Sequence, residues 1–180
     1  MALVASCNVL QVVGFQNSGK TTLVEKLIKR AKQFNLCVGS IKHHGHGGPP
    51  DSSSELKDSH RHQQAGADVA GVEGGGILQL TADSKDWSLK KLIDFYQFFS
   101  PDVIFVEGYK KESYPKAVLI RSEEDLVLLS SLTNIICVIS HVPLKKEVQR
   151  AYPMFHLQED ELYLNFLLKE VGEEDEPALI

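Results

Sequence analysis

The run Gly14-Phe15-Gln16-Asn17-Ser18-Gly19-Lys20-Thr21 has the spacing G-x-x-x-x-G-K-[ST]. That spacing suits a loop that wraps a phosphate with successive backbone N–H groups. Gly14 and Gly19 permit backbone conformations that a Cβ would obstruct. Lys20 supplies an ammonium for the β- and γ-phosphates of a nucleotide, and the Thr21 hydroxyl is a ligand for Mg2+. Asn17, Ser18 and Thr22 are the remaining candidates for phosphate contact. The helix that starts here turns its positive end toward the anion.

A second candidate group follows a run of apolar residues. Val103-Ile104-Phe105-Val106 leads into Glu107-Gly108-Tyr109-Lys110. Ligands of open α/β sheets gather at the carboxyl ends of strands. A carboxylate there holds Mg2+ directly or through water, or orients an attacking water. Glu107 is therefore the candidate catalytic group and, with Thr21, the candidate metal ligand. Phosphate-loop enzymes usually carry Asp at this place, so Glu107 is a variant. Gly108 lets the chain approach a nucleotide closely, and Lys110 can pair with phosphate or with Glu107.

Histidines form the third feature. Of the seven, His43, His44, His46, His60 and His62 fall in one stretch. Their spacing is H-H-x-H rather than H-x-x-x-H on a helix, and no cysteine joins them, so ligand geometry for a transition metal is not specified. The expected role is a polar loop, 43–55, at the mouth of the site, contacting phosphate or substrate. Lys42 and His43 stand at the end of the preceding strand and suit anion contact. Asp58 and Ser59 open the next element and read equally as site residues or as a helix N-cap.

Short β-rich runs that alternate with helical patterns must position these groups, which points to βα units and a largely parallel sheet flanked by helices. The expected strands are Asn8–Val13, 37–41, 102–106, 117–120 and 135–139. Leu23, Leu27, Ala31 and Phe34 mark one apolar face of a helix over 20–34. Further helices are expected over 56–65, 89–99 (with Ser88 as N-cap) and 160–171, with a short one after Pro143. Two short strands, 68–72 and 76–80, flank a turn at 73–75. The fold class is thus α/β, a three-layer phosphate-loop architecture. One nucleotide-binding domain spans 1–172, and an acidic tail over 173–180 is expected to fray.

Composition narrows the class further. The 180 residues carry a net charge of −5, so no global basic field draws the chain to nucleic acid. No apolar run approaches the roughly 18 residues of a membrane helix. The three cysteines are odd in number and unpaired in spacing, which argues against a disulfide framework. Cys37 and Cys137 sit in apolar runs and read as small buried residues. No signal peptide is read at the N-terminus, and the expected compartment is the cytoplasm.

In this order the phosphate loop with Thr22-Leu23, Lys42-His43-His44, Asp58-Ser59 with Ala65-Gly66-Ala67, and Val106-Glu107-Gly108-Tyr109-Lys110 resemble the molybdopterin-guanine dinucleotide biosynthesis protein B family. The likeness spans roughly residues 8–145. It implies a phosphate-loop fold, a homodimer, GTP and Mg2+ as ligands, and at most weak hydrolysis. It also implies assistance to a guanylyltransferase that joins GMP to molybdopterin. By motif match Gly14, Gly19, Lys20, Thr21 and Thr22 would hold the phosphates and Mg2+. Glu107 would lie on the magnesium side, and Lys42, His43 and Asp58 would line the same cleft. The family often has Ser-Asp-Val-Pro after its late strand, where this chain has Ser140-His141-Val142-Pro143. The guanine-reading N-K-x-D motif is absent, so guanine selectivity rests on the resemblance. Two other readings stay open, a small-molecule kinase and a metal-delivery GTPase built on the histidines. A kinase needs a lid rich in Arg or Lys, which 43–55 is not.

Overall fold

A computed structural model describes residues 7–45, 57–84 and 86–172, with the side chains of 57–60 and 172 left undescribed. His46, most of the 43–55 loop, the Asp58 side chain and the 173–180 tail therefore lie outside the described residues. The chain divides into two compact units, Met1–His43 with Leu92–Ile180, and His44–Lys91.

The first unit is built on a six-stranded sheet in the order β2-β5-β1-β6-β7-β8. Its strands are β1 Asn8–Val13, β2 Val38–Lys42, β5 Val103–Glu107, β6 Lys116–Ile120, β7 Ile135–Ser140 and β8 Met154–His156. Every pairing within it is parallel. β5 and β6 are buried along their whole length, which requires cover on both faces and explains their near-continuous apolar runs. On one face α1 (Lys20–Gln33) and α6 (Asp160–Gly172) pack Leu23, Leu27, Leu164 and Leu167 against Leu10, Phe105 and Leu119. On the other face Leu128 of α4 (Val127–Ser131) and Leu144 pack with Val13, Val118, Ile120 and Val138. The late short helix is α5, Lys146–Ala151.

α3 (Leu89–Tyr96) continues into a 3-10 turn, Gln97–Phe99. Tyr96 lies on Gly39 of β2, where a Cβ would stand 2.9 Å from Tyr96 Cδ1, and its hydroxyl donates to Ser40 O. A side chain at 39 would push the ring off the strand. Cys137 is buried, and that burial pushes its thiol up to about 12. Cys37 is exposed, against expectation. It directly precedes β2, the edge strand of the sheet, which has β5 on one side only.

The second unit holds α2 (Lys57–Gln64) and an antiparallel hairpin of β3 (Val69–Gly74) and β4 (Ile77–Ala82). Gly74 pairs with Ile77, so the turn is the two residues Gly75 and Gly76, one step later than expected. Both have positive φ, 59° and 80°, as a type I′ hairpin turn demands. Ser88 caps α3 as expected, its Oγ accepting from the Lys91 N–H at 3.2 Å.

Candidate nucleotide-binding site

β1 runs into the glycine loop, and α1 leaves it. Asn17 and Gly19 both adopt left-handed backbone, φ 59° and 91°, the kind of curl that lets successive N–H groups converge on an anion. Gly14 has no room for a side chain, since a Cβ there would meet Ser18 Oγ at 2.5 Å and Leu119 O at 3.1 Å. Ser18 is fully buried and its hydroxyl has no hydrogen-bond partner among the described residues. The first turn of α1 carries no acidic residue and no side-chain cap, which leaves its N–H groups to an anion.

Lys20 Nζ donates to Phe15 O at 2.7 Å, lying across the loop. Burial lowers its pKa most, Glu107 opposes that shift, and Lys110, Lys42 and Arg121 add to it. Those four neighbours show how strongly charge converges on this loop. Thr21 and Thr22 are both exposed in the first turn of α1.

Strand order brings the second motif to the first. β5 lies between β1 and β2, with Val12, Glu107 and Lys42 in register across the three strands. Glu107, at the carboxyl end of β5, accepts from the Thr21 hydroxyl at 2.9 Å through Oε2. Lys42 Nζ stands 3.5 Å from Glu107 Oε1 and donates to Thr21 Oγ1 at 3.2 Å. β1 leads away through α1 to β2 on one side, whereas β6 leads on to β7 on the other. The site thus sits where connections diverge, the place where such sheets bind ligands.

The Gly108–Tyr109 turn is held from both sides. Gln11, the one polar residue inside β1, donates its amide to Gly108 O at 3.0 Å and Tyr109 O at 2.8 Å. Gly108 has φ 97°, and a Cβ there would stand 3.1 Å from His43 Cβ. The His43 ring lies against Tyr109, centroids 4.4 Å apart, and the His43 backbone N–H donates to Glu107 O at 2.9 Å. His43 therefore braces the Glu107 turn.

Lys110 turns from Glu107 to Phe15, with Nζ 4.4 Å from the ring centroid. Arg121, unremarked in the sequence, lies 5.6 Å from the same ring and donates to Gln16 O at 2.9 Å. Its other nitrogens bind both oxygens of buried Asp125. His141 also touches the loop, with Nε2 3.1 Å from Ser18 O. Gln11 and Arg121 carried readable signals, a lone polar residue in an apolar strand and a cation at a strand end. Their partners, however, depend on strand order. Among the described residues no three His, Cys, Asp or Glu groups gather to hold a metal.

This arrangement can hold a polyphosphate through loop N–H groups and Lys20, with an oxygen pair beside it suited to a hard divalent cation. The family profile described as molybdopterin guanine dinucleotide synthesis protein B matches residues 9–141. The chain belongs to that family. A MobB-family relative from Bacillus subtilis strain 168, described as a probable molybdopterin-guanine dinucleotide biosynthesis adapter protein, is 44% identical over 171 residues, covering 95% of this chain and 97% of its own. The Escherichia coli K12 adapter protein is 33% identical over 147 residues, 77% of this chain and 81% of that one. The crystal structure of Bacillus subtilis MobB superposes with a TM-score of 0.78 at 42% identity, covering 92% of this chain and 99% of that one. The parallel sheet flanked by helices is thus the MobB fold.

Proposed function

We propose that this chain is a GTP-binding accessory protein that assists a guanylyltransferase in converting molybdopterin to molybdopterin guanine dinucleotide. The observation that carries the nucleotide part is the Thr21–Glu107 contact at 2.9 Å beside the Lys20 loop. The place in molybdenum cofactor biosynthesis follows from the family and from the adapter proteins to which the chain is similar. Guanine as the base rests on the same ground.

In this reading Gly14, Asn17, Ser18, Gly19, Lys20, Thr21 and Thr22 hold the phosphates. Thr21 and Glu107 fit Mg2+, because both are hard oxygen donors already within reach of each other. The ion would neutralise phosphate charge. Lys42, His43, Gly108 and Lys110 line or shape the same cleft. Hydrolysis is slow or absent, because rapid turnover needs an arginine at the transferred phosphoryl. Arg121 reaches the loop, but both carboxylate oxygens of Asp125 engage it.

The chain works in the cytoplasm as a homodimer. No helix among the described residues is long and apolar enough to cross a membrane. Residues paired across the hairpin share a face, so Val69, Leu78 and Leu80 lie together, 57%, 55% and 45% exposed. A two-stranded ribbon is marginal by itself, and a second copy would cover that face. Reconstitution tests the account. Guanylyl transfer to molybdopterin by the partner enzyme should rise on adding this protein with GTP. No rise, together with no physical association, would contradict the adapter role.

A further inference from the structure

Lys42 stands where the divalent cation would draw its ligands. Its ammonium donates to Thr21 Oγ1 at 3.2 Å, and the Thr21 hydroxyl in turn donates to Glu107 Oε2 at 2.9 Å. The same ammonium is 3.5 Å from Glu107 Oε1. A hydroxyl has one proton to give and lone pairs to offer. Thr21 spends its proton on Glu107 and presents a lone pair to Lys42. A cation bound to Thr21 would approach the same oxygen that Lys42 occupies, and it also needs the carboxylate that Lys42 faces.

We infer that Lys42 is a tethered competitor for the divalent-cation site, so that the cation enters only with an anionic ligand that draws the ammonium away. The inference rests on the reading of Thr21 and Glu107 as the cation's ligands. Two cations cannot share these oxygens without strong repulsion at contact distance. Register supports the role, since Lys42 and Glu107 are Cα partners on adjacent parallel strands and their side chains emerge together. The Lys42 side chain is 61% exposed whereas that of Glu107 is 11% exposed. The ammonium is thus loosely held and able to leave, while the carboxylate stays. Nucleotide phosphates supply the alternative partner, and they arrive beside Lys20. Cation binding is thereby coupled to nucleotide binding.

The test measures Mn2+, a paramagnetic substitute for Mg2+, binding to nucleotide-free protein by electron paramagnetic resonance. Lys42→Met should bind Mn2+ at least about tenfold more tightly than the wild type, because a positive charge at the ligands is gone. Lys42→Arg keeps the charge and should stay within about twofold of wild type. Adding Thr21→Val to Lys42→Met should abolish the gain. Circular dichroism and thermal melting establish that each variant is folded. Equal Mn2+ affinity in folded wild type and Lys42→Met would overturn the inference. A gain that survives Thr21→Val would overturn it too, since the oxygens would be the wrong ones. The underlying reading fails separately, if Mg2+ leaves the GTP affinity of the wild type unchanged.

Discussion

The Thr21 hydroxyl and the Glu107 carboxylate meet at 2.9 Å, although 86 residues separate them in sequence. Parallel pairing of β1 with β5 brings them together, ending one strand at the glycine loop and the next at the acid. Glu107→Gln keeps the shape and removes the charge. The expected outcome is GTP binding that no longer responds to Mg2+, with thermal stability changed by less than about 1 kcal/mol. Titration of GTP at high Mg2+ and in chelator measures the first, and a melting curve the second.

Gly14 tests the loop itself. A methyl at this position meets Ser18 Oγ at 2.5 Å, Leu119 O at 3.1 Å and Ser18 Cβ at 3.2 Å. The serine rotor could move, but the backbone carbonyl cannot move without disturbing β6. Gly14→Ala is expected to cost about 1–3 kcal/mol in stability, as overpacking does. It should weaken nucleotide binding by at least about tenfold, because misplaced N–H groups no longer converge. Denaturant unfolding and fluorescent-nucleotide titration read the two effects.

Arg121 and Asp125 make a stability prediction with a definite pH sign. The hydrogen bonds from Arg121 hold the Asp125 carboxyl below its ordinary range. A carboxyl whose folded pKa is depressed contributes stability above its unfolded value near ~3.9, and that contribution is lost as pH falls through the lower folded value. Asp125→Asn should therefore destabilise the protein by about 1–3 kcal/mol at neutral pH, as losing a charged hydrogen-bond partner does. The difference between variant and wild type should shrink below about pH 4. Urea midpoints across that range check it.

Gln11 is buried in β1 and supplies two of the hydrogen bonds that hold the Gly108–Tyr109 turn. Gln11→Leu matches its bulk and leaves two carbonyls without those donors. A loss of about 1–3 kcal/mol is expected. The turn also carries Glu107, so the Mg2+ enhancement of GTP binding should weaken while binding in chelator stays close to wild type. Equal enhancement would mean that the turn does not set the carboxylate.

The parts of this structure legible in the sequence are those with local signatures. The glycine loop follows from eight contiguous residues, its strand and helix from the apolar patterns on either side, and the apolar runs of β5 and β7 announce buried parallel strands. Met154–His156 is only three residues long and half-buried, too short to show a period, so β8 was not foreseen. The short 123–131 helical stretch escaped for the same reason. At the site, Glu107 and Lys42 were recognisable one by one. Their contact was not, because it depends on β5 entering between β1 and β2. Lys110 is expected beside phosphate or Glu107. It lies on Phe15, whose ring offers a cation an apolar face within the phosphate loop.

Isothermal titration of the protein with GTP in Mg2+, set beside ATP and the Lys20→Ala variant, tests the central claim most directly. The account predicts saturable binding of GTP at one site per chain, tighter than that of ATP, and loss of at least about tenfold in affinity with Lys20→Ala. Unchanged affinity in a folded Lys20→Ala variant, or binding of ATP alone, would contradict it.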